Sequence, residues 1–351
     1  MTTIYVKEQG AKVGRQGERL VITKDGNLLE AFPLNQVEQL VLVGNVQMTT
    51  QAVATLLAQS VDVVYLSSFG KYRGRLASVG SQNARLRQQQ FRVAADNAAS
   101  LLIAQAIVDG KIHNQRVLLQ RQKQRINALP QRERGAPETP ANRQLFHKAL
   151  TGMRKMQQAA LRTQNVESLR GYEGKAAAYY FQALGTLLDS AWNFTGRVYY
   201  PPPDPFNALL SFSYSLLLKD VVSAVNQVGF DAYVGFFHEI DYGRPSLALD
   251  LMEEWRPLIA DAMSLELVNR RILLPDTFTW TNSPQRPVIL GDEGVARVFA
   301  AYGERLEVQL YHPLAGPGGN TTTRQAIVLQ SRRLAHVIME RETVYEAMKA
   351  K

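Results

Sequence analysis

The 351-residue chain contains no cysteine. That excludes disulfides, thiolate zinc sites and cysteine nucleophiles, and it suits a reducing compartment. Long hydrophobic runs are also missing. The best candidate for a membrane span, Leu209 to Leu218, is interrupted by Ser and Tyr and falls short of the roughly 18 residues a span needs. The first residues, MTTIYVKEQGAKVGRQG, carry charge and no apolar segment, which argues against a signal peptide. No internal repeat or low-complexity tract is present. The expectation is a soluble cytoplasmic protein with no membrane association. Acid is in deficit: 31 Asp and Glu face 40 Lys and Arg, a formal net charge of +9. Such an excess favours an anionic partner, nucleic acid ahead of an anionic lipid surface. The length suggests about two domains.

From Thr2 to about Ser78 the pattern is strand-like: TIYVKEQ, RLVITK, LLEAFPL, VEQLVLVG, DVVYLSS and GRLAS. Asp25-Gly26 gives a hairpin signal between the second and third. One helical interruption, Thr49 to Gln59, opens on a threonine pair suited to capping. Near Gly80 the composition shifts to Gln, Arg, Ala and Leu, which predicts a small strand-rich domain over 1–80 and a larger helical domain over 81–351. Lys71 to Arg125 holds eleven Lys or Arg and two acids, Asp96 and Asp109. Drawn as a helix, that segment offers a basic face for a phosphate backbone; the plain alternative is a solvated face.

Leu129 to Arg143, with three prolines, predicts a loop. Helical texture returns, and Gly171 and Gly174 then bracket Glu173, which is expected at the start of a helix bearing Ala177, Tyr180, Phe181 and Leu184. After the proline-rich turn from Pro201 to Pro205, Asn207 is a plausible cap for a buried helix. A final helix is expected from Gln325 to Met348.

The stretch richest in chemistry is Gly235 to Pro257, GFFHEIDYGRPSLALDLMEEWRP. On a helix from Ser246, Asp250, Glu253 and Glu254 stand at i, i+3 and i+4 and share one face. Leu247, Ala248, Leu251, Met252 and Trp255 fill the opposite stripe. Imidazole from His238 together with carboxylates, and no thiolate, is a ligand set that suits Mg²⁺ or Mn²⁺. His238 acting as a general base, or simply as a core histidine, fits the sequence as well, and an amphipathic helix showing its acids to water explains the spacing equally. Arg244, in the turn YGRPS, either holds a phosphate or pairs with an acid. Lys175 and Lys219 are further candidates for DNA contact.

Four segments in this order, GYEGKAAAYYF, YYPPPDPFNALLSFSYSLL, the stretch above and QSRRLAHVI, resemble the Cas1 family of CRISPR adaptation proteins. The resemblance covers nearly the whole chain. It implies an α+β fold, with a β-sandwich-like N-terminal domain that dimerises and an α-helical catalytic domain. It further implies a metal-dependent DNA endonuclease and integrase, which works as a homodimer with Cas2 on double-stranded DNA and inserts spacers into the CRISPR array by 3′-hydroxyl attack. Residue by residue, it implies Glu173, His238 and Glu253 as ligands for Mg²⁺ or Mn²⁺, with Asp250 beside them as a fourth catalytic residue. The choice among Asp250, Glu253 and Glu254 stays open at this stage. Two other functions fit the residues: a catalytically silent DNA-binding scaffold, and a structure-selective nuclease without integration.

Overall fold

The computed structural model describes residues 2–76, 83–128 and 139–350. Contacts divide the chain into one unit over Met1–Gln82 and a second over Asn83–Lys351. The predicted boundary at 80/81 and most of the predicted Leu129–Arg143 loop lie outside the described residues.

In the first unit, strands β1 (Thr2–Val6), β5 (Val37–Val43), β7 (Asp62–Leu66) and β8 (Tyr72–Leu76) form a sheet in the order β1-β5-β7-β8. The first three run parallel. A parallel strand covered on both faces needs apolar side chains on both, and β5, VEQLVLV, buries six of its seven residues. The second sheet has the order β4-β3-β2-β6, built from β2 (Lys12–Gln16), β3 (Arg19–Lys24), β4 (Asn27–Pro33) and β6 (Gln47–Met48). Lys24 pairs with Asn27 across the two-residue turn Asp25-Gly26, where both φ angles are positive, as a hairpin turn of matching twist requires. Side chains from both sheets, among them Ile4, Val13, Leu20, Leu40 and Val63, make one core with Leu56 of α1 (Thr50–Ala58). Thr49 caps α1 by accepting the N–H of Ala52. Strand β2 was not expected: KVGRQ buries only Val13 and so carries no alternating apolar signal.

The second unit is mainly helical, with two short hairpins added, β9 (Phe278–Trp280) with β10 (Val288–Leu290) and β11 (Gln309–Tyr311) with β12 (Asn320–Thr322). Its helices are α2 (Ala84–Ala95), α3 (Asn97–Ala128), α4 (Pro140–Ala160), α5 (Val166–Gly185), α6 (Pro205–Val228), α7 (Ser246–Trp255), α8 (Ala262–Asn269), α9 (Asp292–Glu307) and α10 (Thr323–Ile338). Helix α3 packs against α4, α5 and α7. It is buried nearly all round, with Ile103, Ile107, Ile112 and Leu119 in the core beside Gln105, Asp109, Lys111 and Asn114. The continuous basic face expected here does not form. Asp96 breaks the segment into α2 and α3, which meet at 96°, and only the flanks carry exposed cations, such as Arg85, Arg92, Arg121 and Arg125.

Helix α6 is, among the described residues, the single helix that alone is long and apolar enough to cross a membrane; 78% of its apolar window is buried in this unit, as befits a core helix. Its cap is Asp204 rather than Asn207: Asp204 accepts the N–H of Asn207, whose own amide donates to Gly196 and Asp204. Pro140 begins α4, with Thr139 as its cap, so Pro140–Arg143 is helix rather than loop. The last helix ends at Ile338, and the rest of the chain runs back along α3: Ala350 donates to Asn114 and Lys349 pairs with Asp109 at 2.6 Å.

Candidate active site

Three elements of the helical unit meet at the site. Helix α5 begins at Val166, capped by Asn165, so Glu173 sits in the third turn and not at a helix start. Gly171 and Gly174 lie inside the helix on its exposed side. Helix α7 follows the expected span from Ser246, but its acidic face is not solvated: Asp250 is 0%, Glu253 2% and Glu254 0% exposed. A helix buried on every side must give each charge its own partner. Here the three carboxylates take three different ones.

Asp250 turns to the loop GFFH. Its oxygens accept the backbone N–H groups of Phe236 (2.6 Å), Phe237 (3.0 Å) and His238 (2.9 Å) and the ring Nδ1–H of His238 (2.6 Å). An imidazole that donates through Nδ1 leaves the lone pair on Nε2 available to a ligand, the arrangement by which carboxylates orient metal-binding histidines. The loop must pass very close for this to happen. A Cβ at Gly235 would stand 2.6 Å from an Asp250 oxygen and 2.8 Å from the Ser246 backbone, so only glycine fits. Arg170 of α5 fastens the loop from the other side, donating twice to the carbonyl of Phe237 at 3.0 and 2.8 Å and pairing with Glu239 at 2.6 Å.

Glu254 points away, toward the C-terminal segment. It accepts from Tyr345 Oη (2.5 Å), Gln330 Nε2 (3.1 Å) and the N–H of Met348 (2.6 Å), and burial pushes its carboxyl up to about 7 despite these bonds. It ties the end of the chain to α7 and has no oxygen directed at His238.

Glu253 faces Glu173 and His238. Lys111 Nζ, on the buried helix α3, lies 2.5 Å from Glu173 Oε1 and 2.5 Å from Glu253 Oε2. Arg256 Nη1 lies 2.9 Å from the other Glu253 oxygen, and His238 Nε2 is 3.8 Å from that same atom. Burial works to raise the Glu253 carboxyl, but the charges of Arg256 and Lys111 overcome it and hold it down at about 2. Burial likewise works to discharge Lys111, and Glu173 and Glu253 outweigh it, leaving the ammonium raised above its ordinary value. Glu253 Oε2 is buried and its partner is the Lys111 ammonium, in an ion pair at 2.5 Å. Among the described residues no three His, Asp or Glu side chains stand in ligating arrangement on their own. The ammonium of Lys111 sits where their oxygens converge.

A second layer supports Arg256. Its guanidinium stacks over Tyr214 at 4.8 Å, and Arg197 lies over the same ring at 5.3 Å. Tyr214 and Tyr180 donate to the two oxygens of Asp261, at 2.6 and 2.7 Å, in the single π-helical turn Arg256–Asp261 that follows α7. Such turns occur often at functional sites.

The structure thus brings Glu173, His238, Asp250 and Glu253 together and leaves Glu254 outside. Lys219 is withdrawn as a DNA contact: it is fully buried in α6, pairs with Asp220 at 2.8 Å and lies over the Tyr302 ring. Lys175 is exposed beside Tyr179, and Arg244 is half-buried, with no ion-pair partner among the described residues. Sequence reasoning missed Lys111, Arg256 and Arg170. Two of them carried a signal: Arg256 is three residues after Glu253 on a helix, and Lys111 is the lone lysine inside the apolar run from Leu101 to Leu119.

The chain is similar to known proteins over most of its length. The family model described as CRISPR associated protein Cas1 matches residues 4–304. CRISPR-associated endonuclease Cas1 3 of Thermus thermophilus is 35% identical over 349 residues, covering 98% of this chain and 96% of its own. Among solved structures, a casposase bound to integration product superposes with a TM-score of 0.80 at 22% identity, over 99% of this chain and 93% of that one. A chain of a Cas6-RT-Cas1–Cas2 complex gives 0.80 at 23% identity, over 100% of this chain and 36% of that longer one.

Proposed function

Because the chain belongs to the Cas1 endonuclease family, we propose that it is a metal-dependent DNA integrase that joins short foreign DNA segments to a CRISPR array by 3′-hydroxyl attack on a phosphodiester. The observation that carries this reading is the convergence of Glu173 and Glu253 on one cation, the ammonium of Lys111, with His238 Nε2 3.8 Å from the other Glu253 oxygen.

The residues fit a divalent ion. Two carboxylates and one imidazole are hard and borderline donors of the kind that hold Mg²⁺ or Mn²⁺, and the imidazole favours Mn²⁺. Glu253 Oε2 already meets a cation, the Lys111 ammonium at 2.5 Å, and so suits a positively charged ligand. In this reading Glu173, Glu253 and His238 Nε2 are the ligands. Asp250 is a positioning residue, which fixes the His238 ring and its tautomer through Nδ1. When bound, the ion supplies charge neutralisation at the phosphate oxygens and activates the attacking or leaving oxygen. Arg256 holds Glu253 ionised and aimed, and Arg170 keeps the histidine loop closed on α7.

Double-stranded DNA is the proposed substrate. The net charge of +9 supports this, as do the exposed Lys175, the half-buried Arg244 and a shallow cleft between α4 and α5 lined by Lys155, Arg162 and Tyr172, the neighbour of Glu173. Homodimerisation through the strand-rich unit and assembly with Cas2 belong to the same proposal; the name of the complex that shares this fold supports the latter.

The test is a joining reaction. Full-length protein, its Cas2 partner, Mn²⁺, a short DNA duplex and a supercoiled plasmid carrying a repeat array should give plasmid with the duplex covalently attached. A scaffold would bind both DNAs and join nothing, and a nuclease without integration would nick the plasmid and leave the duplex free.

A further inference from the structure

We infer that Lys111 is a built-in counter-ion that closes the site in the metal-free protein and competes with the metal for Glu173 and Glu253. This rests on the metal reading proposed above. It concerns what the chain does before the ion arrives and what the ion must displace.

Lys111 contacts the same atoms that the proposed site needs. Its Nζ is 2.5 Å from Glu173 Oε1 and 2.5 Å from Glu253 Oε2, and its side chain is 8% exposed. A magnesium-sized ion takes carboxylate oxygens at about 2.0–2.1 Å. A divalent ion on the same two oxygens would face the Lys111 ammonium at close range, so the two cations repel and compete for the pair. Without Lys111, two carboxylates would share a buried space with no cation between them, which burial penalises heavily. Arg256 does not replace it: that guanidinium serves the other oxygen of Glu253, and Lys111 is the single cation paired with Glu173 among the described residues.

The surroundings dictate which part moves. The backbone of α3 is fixed at this turn. A Cβ at Gly110 would stand 2.4 Å from the Cβ of Ala347, and Asn114 bonds to the carbonyls of both Glu254 (2.9 Å) and Met348 (2.8 Å). The helix therefore cannot withdraw, whereas the lysine stem has four rotatable methylenes. Ion entry swings the ammonium aside within a side chain's length of the metal and leaves the carboxylates where they were.

The test is Mn²⁺ binding, read by electron paramagnetic resonance on the full-length protein without DNA. Wild type, Lys111→Met, Lys111→Gln and Glu253→Gln are compared, with circular dichroism to confirm folding; Lys111→Gln keeps an amide donor between the carboxylates should the methionine variant not fold. Removal of the competitor should tighten Mn²⁺ binding at least tenfold in the neutral Lys111 variants, while Glu253→Gln loses it. Affinity equal to or weaker than wild type in those variants, with binding lost in Glu253→Gln, overturns the counter-ion and leaves the metal site standing. Failure of wild type and both Lys111 variants to bind Mn²⁺ overturns the metal reading, and the inference falls with it.

Discussion

His238 and Asp250 are joined twice: Asp250 Oδ1 accepts the ring Nδ1–H at 2.6 Å and the backbone N–H of the same histidine at 2.9 Å. One carboxylate therefore sets the path of the loop and the orientation of the ring. This separates its two tasks in a way that mutation can read. Asp250→Asn keeps the shape and one acceptor oxygen but removes the charge that holds the proton on Nδ1. Mn²⁺ affinity should fall about 10–100-fold, as for other carboxylates that orient a metal-binding histidine. Asp250→Ala should in addition destabilise the fold by about 3 kcal/mol or more, because three backbone N–H groups lose their buried acceptor. Calorimetric metal titration and thermal melts distinguish the two.

Arg170 is expected to matter for activity without contacting the ion. Arg170→Met removes both hydrogen bonds to the Phe237 carbonyl and keeps much of the apolar stem. DNA joining should drop about tenfold, as a displacement of the histidine loop by less than 1 Å would cause. Melting of the protein should change little, since the residue is partly exposed. Unchanged joining would show that Asp250 alone fixes the loop.

Asp261 gives a stability prediction with a definite sign. Burial pushes its carboxyl up to about 6, against the hydrogen bonds from Tyr214 and Tyr180 that favour the charged form. A carboxyl raised on folding binds its proton more tightly in the native state. Its contribution to stability is complete below pH ~4, the unfolded range, and is lost as pH rises through about 6. The loss amounts to about 3 kcal/mol for a shift of this size. Asp261→Asn cannot ionise, and its amide can still bond both tyrosines. The difference in denaturant stability between variant and wild type should therefore move in the variant's favour between pH 4 and pH 7. A difference independent of pH would contradict it.

Much of this could be read from the residues alone. The α7 helix and the histidine just ahead of it were legible from local spacing, whereas Glu173 entered only through the resemblance to the Cas1 family, its own neighbours suggesting no more than a helix start. The third carboxylate was not. Asp250 and Glu253 are 60° apart on an ideal helix, Asp250 and Glu254 only 40°, and a pattern on one helix does not say which neighbours pack against it. Folding assigns the loop N–H groups to Asp250, Tyr345 to Glu254 and Lys111 to Glu253, and those partners come from segments about 12 to 140 residues away. For the same reason α3 read as a basic face. The cations from Arg85 to Arg125 read as one face until the chain breaks at Asp96 and α4, α5 and α7 pack on the middle of α3, burying Lys111 and leaving the exposed cations at the flanks. The final helix read too long because Gln325 to Met348 keeps helical composition throughout; tertiary bonds from Gln330 and Asn114 draw its last residues out into an extended segment.

The most direct test of the account is the dependence of DNA joining on Glu173, His238 and Glu253 in the presence of Mn²⁺. Wild type should join DNA with Mn²⁺ and not with a chelator. Glu173→Gln, His238→Ala and Glu253→Gln should each lose about a thousandfold or more, the equivalent of several kcal/mol of transition-state stabilisation by the ion, while binding the DNA as before. Undiminished joining by any one of the three, or joining by wild type in chelator, would contradict it.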